Sequence, residues 1–369
     1  MKWLAIINPR ADHHSPAQLQ ELGKDLRTYA HADCTWTSCP QEARQIALKN
    51  HHYDGFIAVG GDGTISEVIN GMNCARHAFA FVPAGTGNGL ARDLNLQEER
   101  LAVRVLARPR FHNLDLVSVR FRTRRRWHQR WMVSNAAVGY VAGAVALGMK
   151  PWKRVVGPWI YAVAAVLQSF CQDEFPARWR VDDEAWQEGP LTSLIVQNTQ
   201  HMGQFRMFPA ARVDDGKFDL LHACLGWGIQ LSEDYGILRQ SYQYQRSVRR
   251  QACRFQVHLP HPQTLIVDGD ESFDHVDWLH FQVVSGRLRC CIGAESGAGV
   301  ASAPVAHFSG NGVREAVTEA LLPDRPDGTA NSSIPATMAL NPAMRQTNGS
   351  CSLGKLSPRQ TMPPIPTST

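Results

Sequence analysis

The sequence predicts an α/β fold: an N-terminal doubly wound parallel sheet, then an antiparallel β-rich region, then a low-complexity tail. Three observations carry this. Apolar runs alternate with helical patterns over the first hundred residues, two glycine-rich loops each follow such a run, and two-residue alternation dominates after about residue 116.

The elements follow in order. Residues 4–7 form the first strand, ending at Asn8-Pro9-Arg10. Ser15-Pro16 opens a helix with Leu19, Leu22, Leu26 and Tyr29 on one face, and Ser15 with Gln18 suits a capping box. A weaker strand over 34–36 ends at Thr37 before a helix over 41–50. The strand 56–59 runs into Gly60-Gly61-Asp62-Gly63-Thr64, and the next helix begins with Ile65-Ser66-Glu67, where Thr64 and Glu67 have capping-box spacing. The strand 79–82 runs into Pro83-Ala84-Gly85-Thr86-Gly87-Asn88-Gly89, followed by a helix over 90–94. This β-α-β-α-β-α-β order implies right-handed crossovers, with ligands beyond the carboxyl ends of the strands.

Those ends carry Asn8, Thr37, Gly60 to Thr64 and Gly85 to Asn88. Glycines permit positive φ and let backbone N–H groups approach a phosphate, while a helix N-terminus adds positive potential. A tight turn that binds nothing explains one such loop; two side by side favour a phosphate site. Asp62 repels a bare phosphate, so it must meet a cation, a positive side chain or the hydroxyl being phosphorylated.

In the second region strands are expected over 191–196, 218–222, 255–259, 264–267, 279–284 and 288–292, with turns at Asp215-Gly216 and Ser285-Gly286. Residues 221–257 include a stretch of mixed polarity with no assigned structure. Asp268-Gly269-Asp270 follows a strand. It reads either as a hairpin turn or, if the strand continues, as two carboxylates pointing the same way. The tail from about residue 295 is rich in Ala, Ser, Pro, Thr, Gly and Asn and is expected to be disordered, apart from a short amphipathic helix over 313–322.

The GGDGT loop, the PAGTGN loop and the early Asn-Pro resemble the diacylglycerol kinase catalytic-domain family, which includes bacterial lipid kinases and sphingosine and ceramide kinases. Asn198-Thr199, Gly203 and the run from Pro209 to Asp219 are similar to its second-domain signature, so the resemblance covers residues 1–293. Gly89 departs from the family's Asp, and Asp270 from the Glu of Asp-Gly-Glu. The resemblance implies a nucleotide domain over 1–116, a lipid-substrate β-sandwich over 117–293 with its final strand returning to the first domain, and a tail over 294–369. It implies ATP and Mg²⁺ as cofactors and a lipid substrate. Asn8, Thr37, Gly60, Gly61, Asp62, Gly63, Thr64, Ile65, Ser66, Glu67, Gly85, Thr86 and Asn88 are the expected nucleotide-site residues. Asp62, Asp268 and Asp270 are the catalytic candidates; the family assigns the proton acceptor to Asp270, but its shorter side chain leaves the choice with Asp268 open, and Glu271 stands next door. A Mg²⁺ site transfers to the Asp215 carboxylate and the carbonyls of Arg212 and Lys217, against the alternative of an Asp-Gly turn.

A net charge of +5 and a pI of 8.8 are mildly basic, which suits phosphate ligands or an anionic membrane without requiring either. Nine scattered cysteines point to a reducing cytosol. A first strand beginning by residue 4 leaves no room for a signal peptide, and no apolar run reaches the ~20 residues of a membrane span. The expected location is cytoplasmic, with peripheral contact at the inner membrane face left open. Two basic segments stand out. Arg120 to Arg130 interleaves arginine with aromatics, as nucleic-acid binders do, but a hairpin with solvated arginines is the commoner explanation and nucleic acid is not expected. The segment 150–167 combines cations, tryptophans and an apolar stripe, fitting either a membrane-facing surface or a buried helix. A kinase of the related NAD kinase type, which shares a GGDG loop, and a catalytically silent binding protein are the competing functions. Oligomeric state is not legible.

Overall fold

Four strands, β1 (Trp3–Ile7), β2 (Ala32–Trp36), β3 (Gly55–Gly60) and β4 (Ala78–Pro83), pair in parallel in the order β2-β1-β3-β4. Every residue of β1, β3 and β4 is buried, as a sheet covered on both faces requires. The covering helices are α1 (Pro16–Ala30), α2 (Glu42–Lys49), α3 (Asp62–Gly71), α4 (Gly89–Asp93) and α5 (Glu99–Ala107). The capping box at Ser15 and Gln18 is formed. Leu19, Leu22 and Leu26 are buried, but Tyr29 lies outside, 54% exposed. These elements belong to a computed structural model that describes residues 1–10, 14–139, 142, 174–203, 205–224, 248–269 and 271–292. The basic segment 150–167, the tail from 294, its expected helix and Asp270 lie outside the described residues.

The chain leaves this layer along β5 (Arg110–Thr123), turns into β6 (Arg126–Met132) and continues through β7 (Asn135–Gly139), β8 (Phe175–Val181), β9 (Gln187–Leu191), β10 (Ser193–Gln197), β11 (His201–Met202), β12 (Phe205–Arg206), β13 (Phe218–Ala223), β14 (Val248–Ala252), β15 (Arg254–Val267) and β16 (Glu271–Ile292). These are antiparallel except where β16 meets β4, at Cys290 and Phe79, so the last strand returns to the parallel sheet and the described strands form one sheet of 14 plus the β11–β12 pair. Residue 116 falls inside β5, so the passage between the layers is a strand and not a linker. Val119, Phe121, Val196, Leu220, Phe255, Val257, Leu279 and Phe281 fill the sandwich core.

The expected strand over 191–196 is two strands, because the chain changes partners at Thr192: β9 pairs with β8, while β10 pairs with β7 and β13. The turn expected at Ser285-Gly286 is a bulge within β16. Between the pairs Val284–Leu116 and Leu288–Leu114, three residues of β16 face Asp115 alone. Gly286, at φ 61°, donates its N–H to Asp115 Oδ1 at 2.7 Å, so a buried carboxylate fills the gap.

Candidate functional site

The two glycine loops touch. A Cβ on Gly85 would lie 2.4 Å from Gly61 Cα, and one on Gly60 would lie 2.4 Å from Thr64 Oγ1. Gly60, Gly61 and Gly63 do not adopt positive φ; Gly61 sits at φ −87°. Close approach of the Gly85 backbone at Gly61 and of the Thr64 side chain at Gly60, and not left-handed conformation, is what requires glycine at these two positions. Asn88 holds the left-handed position, at φ 51°, and closes its loop by accepting Gly85 N–H at 3.1 Å and donating to Gly85 O at 2.6 Å.

The helix expected after Thr64 begins at Asp62 with Gly61 as N-cap, so the Thr64–Glu67 capping box does not form. Thr64 instead accepts from Asn8 Nδ2 at 3.1 Å, joining the ends of β1 and α3. Glu67 caps the neighbouring helix, accepting the N–H groups of Gln41 at 2.9 Å and Ala43 at 3.1 Å. Ile65 is a core residue. Thr37 is buried at the end of β2, its N–H on Ile7 O at 3.0 Å. Thr86 lies in the loop between Gly85 and Asn88.

Asp62 lies between the loops. Its Oδ2 accepts Gly89 N–H at 3.2 Å, whereas Oδ1 is buried and has no partner among the described residues. Burial pushes its carboxyl above the usual range, against the N–H groups of Gly89 and Leu90. The segment 200–203 covers the second loop: a Cβ on Gly87 would lie 3.0 Å from Gly203 Cα. Buried Asp93 of α4 clamps that cover, accepting Gln200 N–H at 2.5 Å and pairing with His201 Nδ1 at 2.5 Å. Gly89 has a local reason too, since a Cβ there would lie 3.2 Å from His201 O.

Asp268 behaves differently. It sits at φ 50°, followed by Gly269 at φ 77°, in the loop between the paired residues Val267 and Glu271, so the hairpin reading holds and the strand does not continue. Its Oδ1 accepts the N–H groups of Ser134 at 2.8 Å and of Val133 and Asn135 at 3.2 Å, and its Oδ2 accepts the Ser66 hydroxyl at 2.9 Å. Burial pushes the carboxyl up to about 6 even against these donors. Ser66, expected at a phosphate, thus spends its hydroxyl on Asp268, and α3 is tied to β7. Glu271 pairs with Arg130 at 2.7 Å.

The expected cation residues gather around Asp115. This acid holds Gly216 N–H at 2.6 Å on Oδ2, and its own N–H donates to Val213 O at 2.7 Å. Asp215 accepts Lys217 N–H at 3.0 Å, and burial, with the charge of Asp115 adding to it, raises its carboxyl. Among the described residues no three His, Cys, Asp or Glu side chains could hold a metal together, so a cation at Asp215 must draw on backbone carbonyls and water, which suits Mg²⁺. A cavity of about 210 Å³ lies between Asp93 and the loop 209–214. Asp93, His201 and Asp115 carry no motif signal and were not expected. Asn198, part of the expected second-domain signature, donates its Nδ2 to the carbonyls of Asp115 at 3.2 Å and Val133 at 2.9 Å.

A doubly wound sheet with two glycine loops pressed together around an acid at its strand ends defines the class of the N-terminal layer as α/β. Residues 2–119 match the family model of the diacylglycerol kinase catalytic domain. The diacylglycerol kinase of Staphylococcus saprophyticus is 27% identical over 207 residues, 55% of this chain and 64% of that protein. "Probable lipid kinase YegS" of Salmonella arizonae is 24% identical over 299 residues, 78% of this chain and 94% of that one. Against the first three staphylococcal relatives the match spans 51% to 64% of their length. The crystal structure of a diacylglycerol kinase from Bacillus anthracis shares the fold, with a TM-score of 0.59 at 16% identity over 80% of this chain and 98% of that one. The expected fold class is therefore present.

Proposed function

We propose that this chain is an ATP- and Mg²⁺-dependent lipid kinase, passing the γ-phosphoryl group of ATP to a lipid hydroxyl. The observation that carries the reading is the unpartnered Oδ1 of Asp62, held between two bare glycine loops. A buried acceptor without a partner is costly, and a cation or a substrate hydroxyl relieves it. Residues 1–116 would hold the nucleotide and 117–293 the lipid.

The N–H groups and small side chains of Gly60, Gly61, Gly63, Thr64, Gly85 and Thr86 cradle the phosphates, with Asn8 fixing Thr64. Asp62 would orient the hydroxyl of the acceptor or help hold a cation, through the oxygen that lacks a partner among the described residues. Asp268, its oxygens committed to four donors, is a positioning residue that fixes the chain just after β15, and Asp270 is the proposed proton acceptor. Magnesium, when bound, neutralises charge on the transferred group. A second cation would sit at Asp215 with the carbonyls of Arg212 and Lys217. The proposed location is cytoplasmic, with membrane contact where the lipid is met; no helix among the described residues is long and apolar enough to cross a bilayer.

Radiolabelled ATP offered with mixed lipids or with NAD tests the reading. Label on lipid, lost in Asp62→Asn, is expected. Label on NAD alone supports the soluble-substrate kinase, and ATP binding without transfer supports a silent protein.

A further inference from the structure

The arginine-aromatic segment is unexplained by the kinase reading. It forms the β5–β6 hairpin, whose last pair is Thr123–Arg126 with Arg124 and Arg125 at the turn. Both turn residues have positive φ, 47° and 66°. Such two-residue turns favour Asn-Gly, since a side chain is strained there. Two arginines therefore occupy positions where local energetics prefer other residues, and strain of this kind points to function.

Arg124, Arg125 and Arg126 are exposed and make no ion pair among the described residues. Trp127 beside them is 53% exposed, with the Arg120 and Arg122 guanidinium groups 5.9 and 6.0 Å from its ring. Arg122 is neutralised by a bidentate pair with Asp277 at 2.8 and 2.9 Å. An acid also lies near the turn, Asp274, whose carboxylate accepts the Thr264 hydroxyl at 2.8 Å. The tip thus shows three unpaired arginines and one tryptophan against one aspartate.

We infer that this tip docks on a bilayer surface bearing anionic headgroups. The charge is complementary, and tryptophan beside arginine suits the depth of the headgroups. The alternative polyanion, a nucleic acid, fits less well. A hairpin tip is convex and cannot cradle a strand. Farther along the same sheet face, Trp186 and Trp278 pack edge to face at 6.2 Å, with arginines over both, so no open row of rings remains for base stacking. The inference rests on the lipid-kinase reading for why a membrane is met, and names the surface that meets it.

The test uses the full chain and vesicles of phosphatidylcholine with or without about one-third phosphatidylglycerol. Binding is expected only to the anionic vesicles and is lost at ~0.5 M salt. Arg124→Asn with Arg125→Gly installs the preferred turn, so thermal stability should rise while vesicle binding weakens about 30-fold. Equal binding to neutral vesicles, unchanged binding by the double variant, or tighter binding to an oligonucleotide that the variant loses would each overturn the inference. Kinase activity on detergent-dispersed lipid is read in parallel and should not change, which separates failure of this idea from failure of the kinase proposal.

Discussion

Asp62 is a half-buried aspartate and Asp268 a fully buried one, both at the junction of the two layers, yet their surroundings differ in kind. Asp62 has one oxygen on Gly89 N–H and the other without a partner among the described residues; Asp268 has both oxygens taken, by three backbone N–H groups and the Ser66 hydroxyl. Burial raises both carboxyls. A raised carboxyl alone therefore does not mark a catalytic group. The unsatisfied oxygen is what separates an acid open to chemistry from an acid that holds the fold together.

The comparison breaks most sharply by mutation. Asp62→Asn should lower turnover about 10²- to 10⁴-fold, with an unfolding midpoint close to the parent's. Near-normal turnover in the labelled-ATP assay would place the chemistry elsewhere. Asp268→Ala should do the reverse, leaving buried N–H groups without an acceptor and costing ~3 kcal/mol in urea unfolding. Its refolded fraction should retain a measurable share of activity.

Asp268→Asn refines this. Its amide oxygen can face the N–H groups and its NH₂ the Ser66 hydroxyl, so most of the stability should survive. The pH dependence should not. With the folded carboxyl at about 6 and the unfolded one near 3.8, the folded state holds the extra proton between those values. Stability from this group is therefore fully present below about pH 3.8 and is lost as pH rises through about 6, by up to ~3 kcal/mol. The Asn variant should lack that decline in unfolding measured across the interval, and an identical slope would mean Asp268 does not titrate there.

These contrasts divide what the sequence could and could not show. The β-α alternation, both glycine loops and the early capping box were legible because each rests on neighbours in the chain. The Asp268 nest was not, because its donors lie at Val133 to Asn135, more than a hundred residues away. Glu67 misled for the same reason: spacing from Thr64 suggested a cap, while the carboxylate reaches α2. The bulge at Gly286 looked like a turn, since only the facing Asp115 distinguishes the two. Residues that join layers are invisible to periodicity, and here they include Asp93, His201 and Asn198.

A smaller effect probes the contact that isolates Asp62. Gly85→Ala places a methyl 2.4 Å from Gly61 Cα, so the loops must part. A cost of ~1–3 kcal/mol is expected, read as weaker ATP binding by calorimetry with little change in the β-sandwich. Unchanged affinity would show that loop contact is packing alone.

The smallest expected change comes from Gly89→Asp, which restores the family's residue. The new Cβ would lie 3.2 Å from His201 O and 3.4 Å from Gly203 O, a tight fit that a shift of a few tenths of an ångström accommodates. The added carboxylate enters beside Asp62, whose carboxyl burial already raises, and a like charge there raises it further. Stability should fall by ~1 kcal/mol or less, with the activity profile displaced to higher pH. A large gain in turnover instead would mean that Gly89 leaves the parent site incomplete, and that Asp62 needs a second acid beside it.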